Sequence, residues 1–327
     1  MLPKSFEIGE LHVSEQPPST STSNRSTIIF MIVLSFTCAM ILSLLASALA
    51  IPKARAKELD RSKQMMIAAK LLDHSGHFLT KDEKGNYIPA KFEKDGLLVP
   101  GSVNDIATEK EMLAIYNKRL KPLLTNDKGE LITFQEAKIV EEDYIKNFKK
   151  TGFYKQSYKL LYKVLPNETD EKAKDRVEGW VIPINGLGLW DAIYGYLAIK
   201  PDVVTVTGIT WYDQKETPGL GANIADAPWQ ALFPGKKIFQ ENSNGVIDFK
   251  SAPLGITVVR GKVSEVYGNS PKSKSAVDGM AGATLTGNGV TDAYRDVLTA
   301  YRPFLMRVQS ENKTKNQENS VAQKVDR

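Results

Sequence analysis

The sequence has 327 residues but only one cysteine and three histidines. That scarcity excludes a disulfide framework and any cysteine-ligated zinc or iron–sulfur centre, and it leaves few ligands for a histidine-bound metal. Neither sign of charge predominates: 43 Lys and Arg stand against 38 Asp and Glu, for a net charge of +5. Such a balance describes a solvated surface rather than a nucleic-acid-binding one. With 42% hydrophobic and 25% charged residues, the composition also excludes wholesale disorder and a polytopic channel. Long apolar runs are missing too, with one exception.

The exception lies at residues 26–52, which carry no charge, and 28–49 are dense in Ile, Leu, Val, Phe and Met. At the rise of an α-helix, ~22 residues cover ~33 Å, enough to cross a ~30 Å hydrocarbon core. The segment is therefore expected to be a retained transmembrane helix, with Cys38 inside it as a small hydrophobe. A cleaved signal peptide is the alternative, since Ala48-Leu49-Ala50 resembles its cleavage site and Arg25 its charged start. The apolar run is longer than a signal core, and a polar stretch precedes it; both favour the anchor. Lys4 and Arg25 precede the run, whereas Lys53, Arg55, Lys57, Arg61 and Lys63 follow it. Taken alone, that bias keeps the C-terminal part cytoplasmic.

Length allows about two domains of ~150 residues. The expected organisation is a disordered tail over 1–25, the apolar helix over 26–52, a membrane-proximal α/β part over 53–175, a second part over 176–308 and a disordered tail over 309–327. Periodicity predicts helices over 54–72 and 104–124, the latter capped by Asn104, with short strands or loops between them. A solvated α/β layer is expected over 125–174. Strands are expected over 180–184, 203–211 and 255–263, the last antiparallel to and near the one before. Val290, Tyr294, Val297, Tyr301, Phe304 and Leu305 recur at helical spacing over 290–308, with Pro303 as a candidate kink.

Three glycine-rich clusters stand in the second half: Asn185-Gly-Leu-Gly-Leu-Trp-Asp191, Glu216-Thr-Pro-Gly-Leu-Gly221 and Asp278-Gly-Met-Ala-Gly-Ala-Thr284, the last continued by Leu285-Thr286. Each by itself reads as a tight turn. The third differs because it feeds a helix, whose first N–H groups attract a phosphate. None is a Walker A loop, and no dinucleotide fingerprint is present. His74 and His77 have no third ligand beside them, so no metal is expected.

The run from Asp278 to Thr284 resembles the flavinylation motif of the FMN-binding domain family, in which an enzyme joins FMN as a phosphoester to the threonine after Gly-Ala. The other two clusters, with Tyr194-Gly195-Tyr196, are similar to segments of the branch of that family serving sodium-pumping NADH:quinone oxidoreductases of bacterial inner membranes. The resemblance implies an α+β FMN-binding domain on a single transmembrane helix, acting as an electron relay from NADH toward ubiquinone coupled to Na+ export. It is implied to be inactive alone. The implied cofactor is FMN, covalently bound as a phosphoester to Thr284. Gly282, Ala283, Thr286 and Asp278 would surround the attachment point, with Thr286 donating to the phosphate. Leu187, Leu189, Trp190, Thr217 and Leu220 would line the ring slot. Implied partners are the other subunits of a six-subunit membrane oxidoreductase, a flavin transferase for maturation, and membrane lipid. Family membership would place the domain on the periplasmic side, against the charge bias. Ala281 departs from the family's usual Ser or Thr and removes one hydroxyl near the phosphate. Two alternatives stay open: the flavinylated subunit of the related ferredoxin–NAD electron-transport complex, and a membrane-anchored binding protein with no redox role.

Overall fold

The computed structural model describes residues 24–168, 170 and 175–325, so all but the last two residues of the expected N-terminal tail lie outside it. Two compact units are found, 1–56 and 57–327. In the first, helix α1 (Asn24–Ala48) has no buried residue, and among the described residues it is the one helix long and apolar enough to cross a membrane.

The chain continues with helix α2 (Ala50–Ala68) and the strands β1 (Phe78–Lys81), β2 (Tyr87–Phe92) and β3 (Leu98–Pro100), which pair in order as an antiparallel sheet. Helix α3 (Glu109–Arg119) follows, then β4 (Leu120–Thr125), β5 (Leu131–Ile132), α4 (Glu141–Phe148) and β6 (Lys159–Val164). Next come β7 (Gly179–Leu187), β8 (Ala192–Ile199), β9 (Val206–Asp213) and the short α5 (Ala227–Gln230). The last elements are β10 (Thr257–Val258), α6 (Val263–Val266), β11 (Ala276–Val277) and α7 (Thr284–Val325). Mixed helices and sheets of this kind make an α+β fold.

The centre is a six-stranded antiparallel sheet in the order β5-β4-β6-β7-β8-β9. Alternation along a strand sends neighbouring side chains to opposite faces. On β6, Leu161 therefore joins one core while Leu160, Tyr162 and Val164 join another. The first core lies under α7, whose Val290, Tyr294, Val297, Tyr301, Phe304 and Leu305 are all buried, as the spacing predicts. Trp180 meets Phe304 edge-on at 5.0 Å, and Trp211 meets Tyr294 at 5.7 Å. Burying each such side chain contributes about 1.5–3 kcal/mol. The second core packs the end of α2, the three-stranded sheet, α3 and α4 on the other face.

Several expectations are corrected. The junction placed between 175 and 176 falls between paired strands β6 and β7, so 53–175 and 176–308 contribute to one sheet. The helix expected over 104–124 begins only after Thr108, whose side chain and Glu111 form a reciprocal cap, and it gives way to β4. Pro122 explains the break, since it disfavours helix at and before its own position. Residues 159–164 form an interior strand rather than a solvated layer, because Leu160, Leu161, Tyr162 and Val164 are buried between the flanking strands β4 and β7, while Lys159, buried as well, pairs with Asp127. The strand expected over 255–263 is only β10, and it pairs parallel to β11. Glycines of positive φ at 255 and 261 bound it, and the Val258 N–H donates to Thr291 on α7 instead of a neighbouring strand. Helix α7 starts six residues earlier than expected and passes Pro303 and Gln309, where a disordered tail was expected. No proline or glycine follows Pro303, and Arg307 pairs with Glu311 one turn on.

His77 fastens the loop at 102–106. Its Nδ1 lies 2.9 Å from Asp73 Oδ2 and its Nε2 2.9 Å from the Val103 carbonyl oxygen. Both acceptors are satisfied at once only by the doubly protonated ring. The Asp73 carboxylate, with smaller help from Asp105, holds the imidazole above its ordinary value of 6.5. A raised pKa gives stability that is present below the ordinary value and lost as pH rises through the shifted one. Amide exchange at 102–106 is therefore expected to accelerate, beyond its intrinsic pH dependence, as pH rises above 6.5, and His77→Gln should abolish that extra dependence.

Candidate functional site

The three glycine clusters, far apart in sequence, meet around one buried carboxylate. The first is the β7–β8 hairpin: Asn185, Gly186 and Leu187 extend β7, rather than turning, and the turn is made by 188–191. The second follows β9, and the third runs into the start of α7. Glu216, 5% exposed, accepts the Leu189 N–H at 3.1 Å, the Trp190 N–H at 3.0 Å and the Thr286 hydroxyl. Successive backbone N–H groups aimed at one point form an anion nest. Burial raises the Glu216 pKa, but the bonds from Thr286, Trp190 and Leu189 outweigh it and hold the carboxyl below its usual range.

Two glycines are explained by that close approach. A Cβ on Gly188 would overlap Glu216 Oε1, and one on Gly221 would overlap the Thr286 hydroxyl and lie 2.8 Å from Glu216 Oε2.

Beside this hub, a cavity of about 420 Å³ is lined by the loop 278–284, by Gly287 and Asn288, and on its other wall by 258–262. Thr284 is exposed on its rim as the first residue of α7. Arg260 and Lys262, both exposed, bring positive charge to the same cavity. Gly282 sits there at φ +72°, a left-handed conformation that other residues rarely adopt. Ala283 is buried, and Asp278 is occupied structurally: its carboxylate accepts the Val263 N–H and its carbonyl the Trp229 indole N–H.

The expectation for Thr286 is corrected. Residues 284–286 are helical, not extended, so Thr284 and Thr286 point apart; Thr286 is buried and its hydroxyl donates to Glu216. It is not available to a phosphate in this arrangement.

The apolar residues expected to line a ring slot are not core. Leu187, Leu189, Trp190 and Leu220 are 73, 48, 69 and 41% exposed, and Leu285, next to Thr284 in sequence, is 59% exposed. Leu220 borders Gly282 at the cavity, and the Trp190 indole N–H donates to the Thr217 hydroxyl at 3.0 Å. Sequence reasoning missed Glu216, Arg260 and Lys262. Glu216 stands in the second glycine cluster, yet nothing local distinguishes a buried glutamate from a surface one. No group of acidic, histidine or cysteine residues fit to hold a metal occurs among the described residues.

Comparison with known proteins bears on the same region. The model of the FMN-binding domain family matches residues 188–299, which include the second and third clusters and the first from Gly188 onward. Over most of its length the chain is similar to the C subunit of the Na(+)-translocating NADH-quinone reductase of Chlamydia caviae: 38% identical, covering 90% of this chain and 95% of that one. The chain belongs to the family of C subunits of Na(+)-translocating NADH-quinone reductases. The corresponding C subunit of Chlamydia pneumoniae is 39% identical over 85% of this chain and 90% of that one. A crystal structure of the C subunit from Parabacteroides distasonis aligns with TM-score 0.48 at 20% identity, covering 77% of this chain and 94% of that one.

In this member of the family the hub has no room for a side chain at position 221. Gly221→Ala is expected to destabilise the folded protein by about 1–3 kcal/mol, the range for overpacking, read as a lower urea midpoint with unchanged slope.

Proposed function

We propose that this chain is the FMN-carrying electron-relay subunit of a sodium-pumping NADH:quinone oxidoreductase, with the flavin joined to Thr284. The observation that carries the reading is the exposed Thr284 hydroxyl at the head of α7, on a cavity walled by Arg260 and Lys262. The residues fit the group chemically. A phosphodiester keeps one negative charge, which the two cations and the N-terminus of a long helix favour. An apolar ring system suits the exposed shelf of Leu187, Leu189, Trp190 and Leu220, and Gly282 leaves the cavity edge free of a side chain.

Attachment forms a Thr284 Oγ–P bond and breaks the P–O bond of the diphosphate in an activated flavin dinucleotide, which a flavin transferase presents; the nucleoside monophosphate leaves and the hydroxyl proton passes to solvent. A covalent tether keeps the cofactor from dissociating through repeated turnover. The flavin itself supplies one-electron uptake and release, while the protein supplies tether, orientation and field. The wider assignment has the chain working in an assembly of six subunits that passes electrons from NADH toward ubiquinone and exports Na+. In it, α1 anchors the chain in the bacterial inner membrane with the domain on the periplasmic side. The basic run after α1 opposes that side, but long domains translocate largely regardless of such bias.

Thr284→Val, co-expressed with the flavin transferase, should lose all covalent flavin fluorescence on a denaturing gel, whereas Thr286→Val should keep an attachment site. Peptide mass mapping should place the FMN on Thr284; finding it on Thr286 overturns the assignment. The purified chain without partners should not oxidise NADH steadily, because it has no dinucleotide fingerprint, and sustained NADH consumption by a pure sample would refute the relay role.

A further inference from the structure

The buried carboxylate of Glu216 has no part in holding or carrying the flavin as described, yet it bonds both to the turn that carries Leu189 and Trp190 and to the first turn of α7. We propose that Glu216 is the positioning residue of the site, setting the hydroxyl-bearing end of α7 and the Trp190 shelf in one fixed relation. The inference rests on the assignment of Thr284 as the attachment point.

The geometry supplies two arms. One oxygen and then the other takes the Trp190 and Leu189 N–H groups, which fixes the turn that carries both exposed apolar side chains. Oxygen Oε2 also takes the Thr286 hydroxyl, two residues beyond Thr284 in the first turn of α7. Glu216 precedes Thr217, whose hydroxyl receives the Trp190 indole N–H, so the same segment holds this residue at two points. An ionised carboxylate has about four lone-pair sites and donates nothing, so it can serve the N–H groups and the hydroxyl together. Glutamine in its place presents one acceptor oxygen and one donor nitrogen, and cannot satisfy all of them. Gly188 and Gly221 give the carboxylate the space that its position requires.

This assigns Glu216 an effect at two places, and the effect on α7 passes through Thr286. A surface or purely local structural glutamate would do neither. Misplacing a reacting group by about 1 Å costs on the order of 100-fold in rate; losing one hydrogen bond of about 1 kcal/mol opens a site roughly fivefold more often.

The test uses the full-length chain with Glu216→Gln, Thr286→Val and Thr286→Ser, with and without the flavin transferase. Covalent flavin per chain is followed over time on denaturing gels, and amide exchange is read at 189–191 on protein that has never met the transferase. The expected result is attachment slowed roughly tenfold or more in Glu216→Gln and Thr286→Val, with Thr286→Ser close to wild type because it restores the hydroxyl. In Glu216→Gln the amides at 189–191 should exchange several-fold faster while exchange in β6 and β7 is unchanged. A chain carrying both Glu216→Gln and Thr286→Val should be no slower in attachment than Glu216→Gln alone. Normal attachment with normal exchange in Glu216→Gln overturns the proposal and leaves the Thr284 assignment standing. If wild-type chain acquires no covalent flavin, the Thr284 assignment fails, and unchanged exchange in the variant then separately rejects the anchoring role. Should Glu216→Gln not fold, equal attachment rates for Thr286→Val and Thr286→Ser refute the proposal by themselves.

Discussion

A carboxylate taken out of water must be repaid in hydrogen bonds, and that constraint shapes the site around Glu216. The penalty for burying an unpaired carboxylate is several kcal/mol. It is offset here by the N–H groups of Leu189 and Trp190 and by the Thr286 hydroxyl, whose bonds to the carboxylate are charge-assisted. Those donors come from a hairpin turn and a helix start that no covalent neighbourhood joins. Satisfying one buried charge therefore forces three distant segments into one arrangement, and glycine at 188 and 221 follows from the space the charge and the hydroxyl occupy.

The hub holds its geometry because what lies behind it is stiff. Helix α7 is fixed along one face of the sheet by Trp180, Trp211 and the buried aromatic residues on its own inner side. Its first turn is the part that leaves the core and reaches the cavity. The β7–β8 hairpin is likewise paired along its length, so its turn is displayed from a rigid base. Mobility at the site is limited by elements whose burial has nothing to do with the ligand. A second core on the opposite face backs the sheet with α2, α3, α4 and the three-stranded sheet, which accounts for much of the chain between 57 and 164.

The proposed chemistry asks little of the protein in acid or base catalysis. It asks for a hydroxyl in the open, positive charge near it, and apolar surface for a flat ring. Thr284, the Arg260–Lys262 wall and the Leu187–Trp190 shelf supply these separately, each on a different segment. The shelf would be a liability on an uncommitted surface, since exposed Trp and Leu invite association. Its exposure is intelligible if a cofactor or partner covers it.

Local patterns in the sequence were enough for the apolar helix, expected over 26–52 and found at 24–48, for the buried face of α7, and for strands expected over 180–184 and 203–211, the second starting three residues later than expected. Each of these is written in a short window, as a period of 3.6 or a β-branched run. The interior position of β6, the break of the helix at Arg119, the shortness of β10 and the inward turn of Thr286 were not legible. Most of them depend on partners remote in sequence: Asp127 for Lys159, Thr291 for Val258, Glu216 for Thr286. A hydroxyl or a glutamate carries no local mark of whether it will meet water or a buried donor. Periodicity and β-branched runs determined the apolar helix, the buried face of α7 and two strands of the sheet; only the packing of the sheet against α7 decided the remaining elements and which loops meet, because burial energy is gained from contacts the chain makes far from itself.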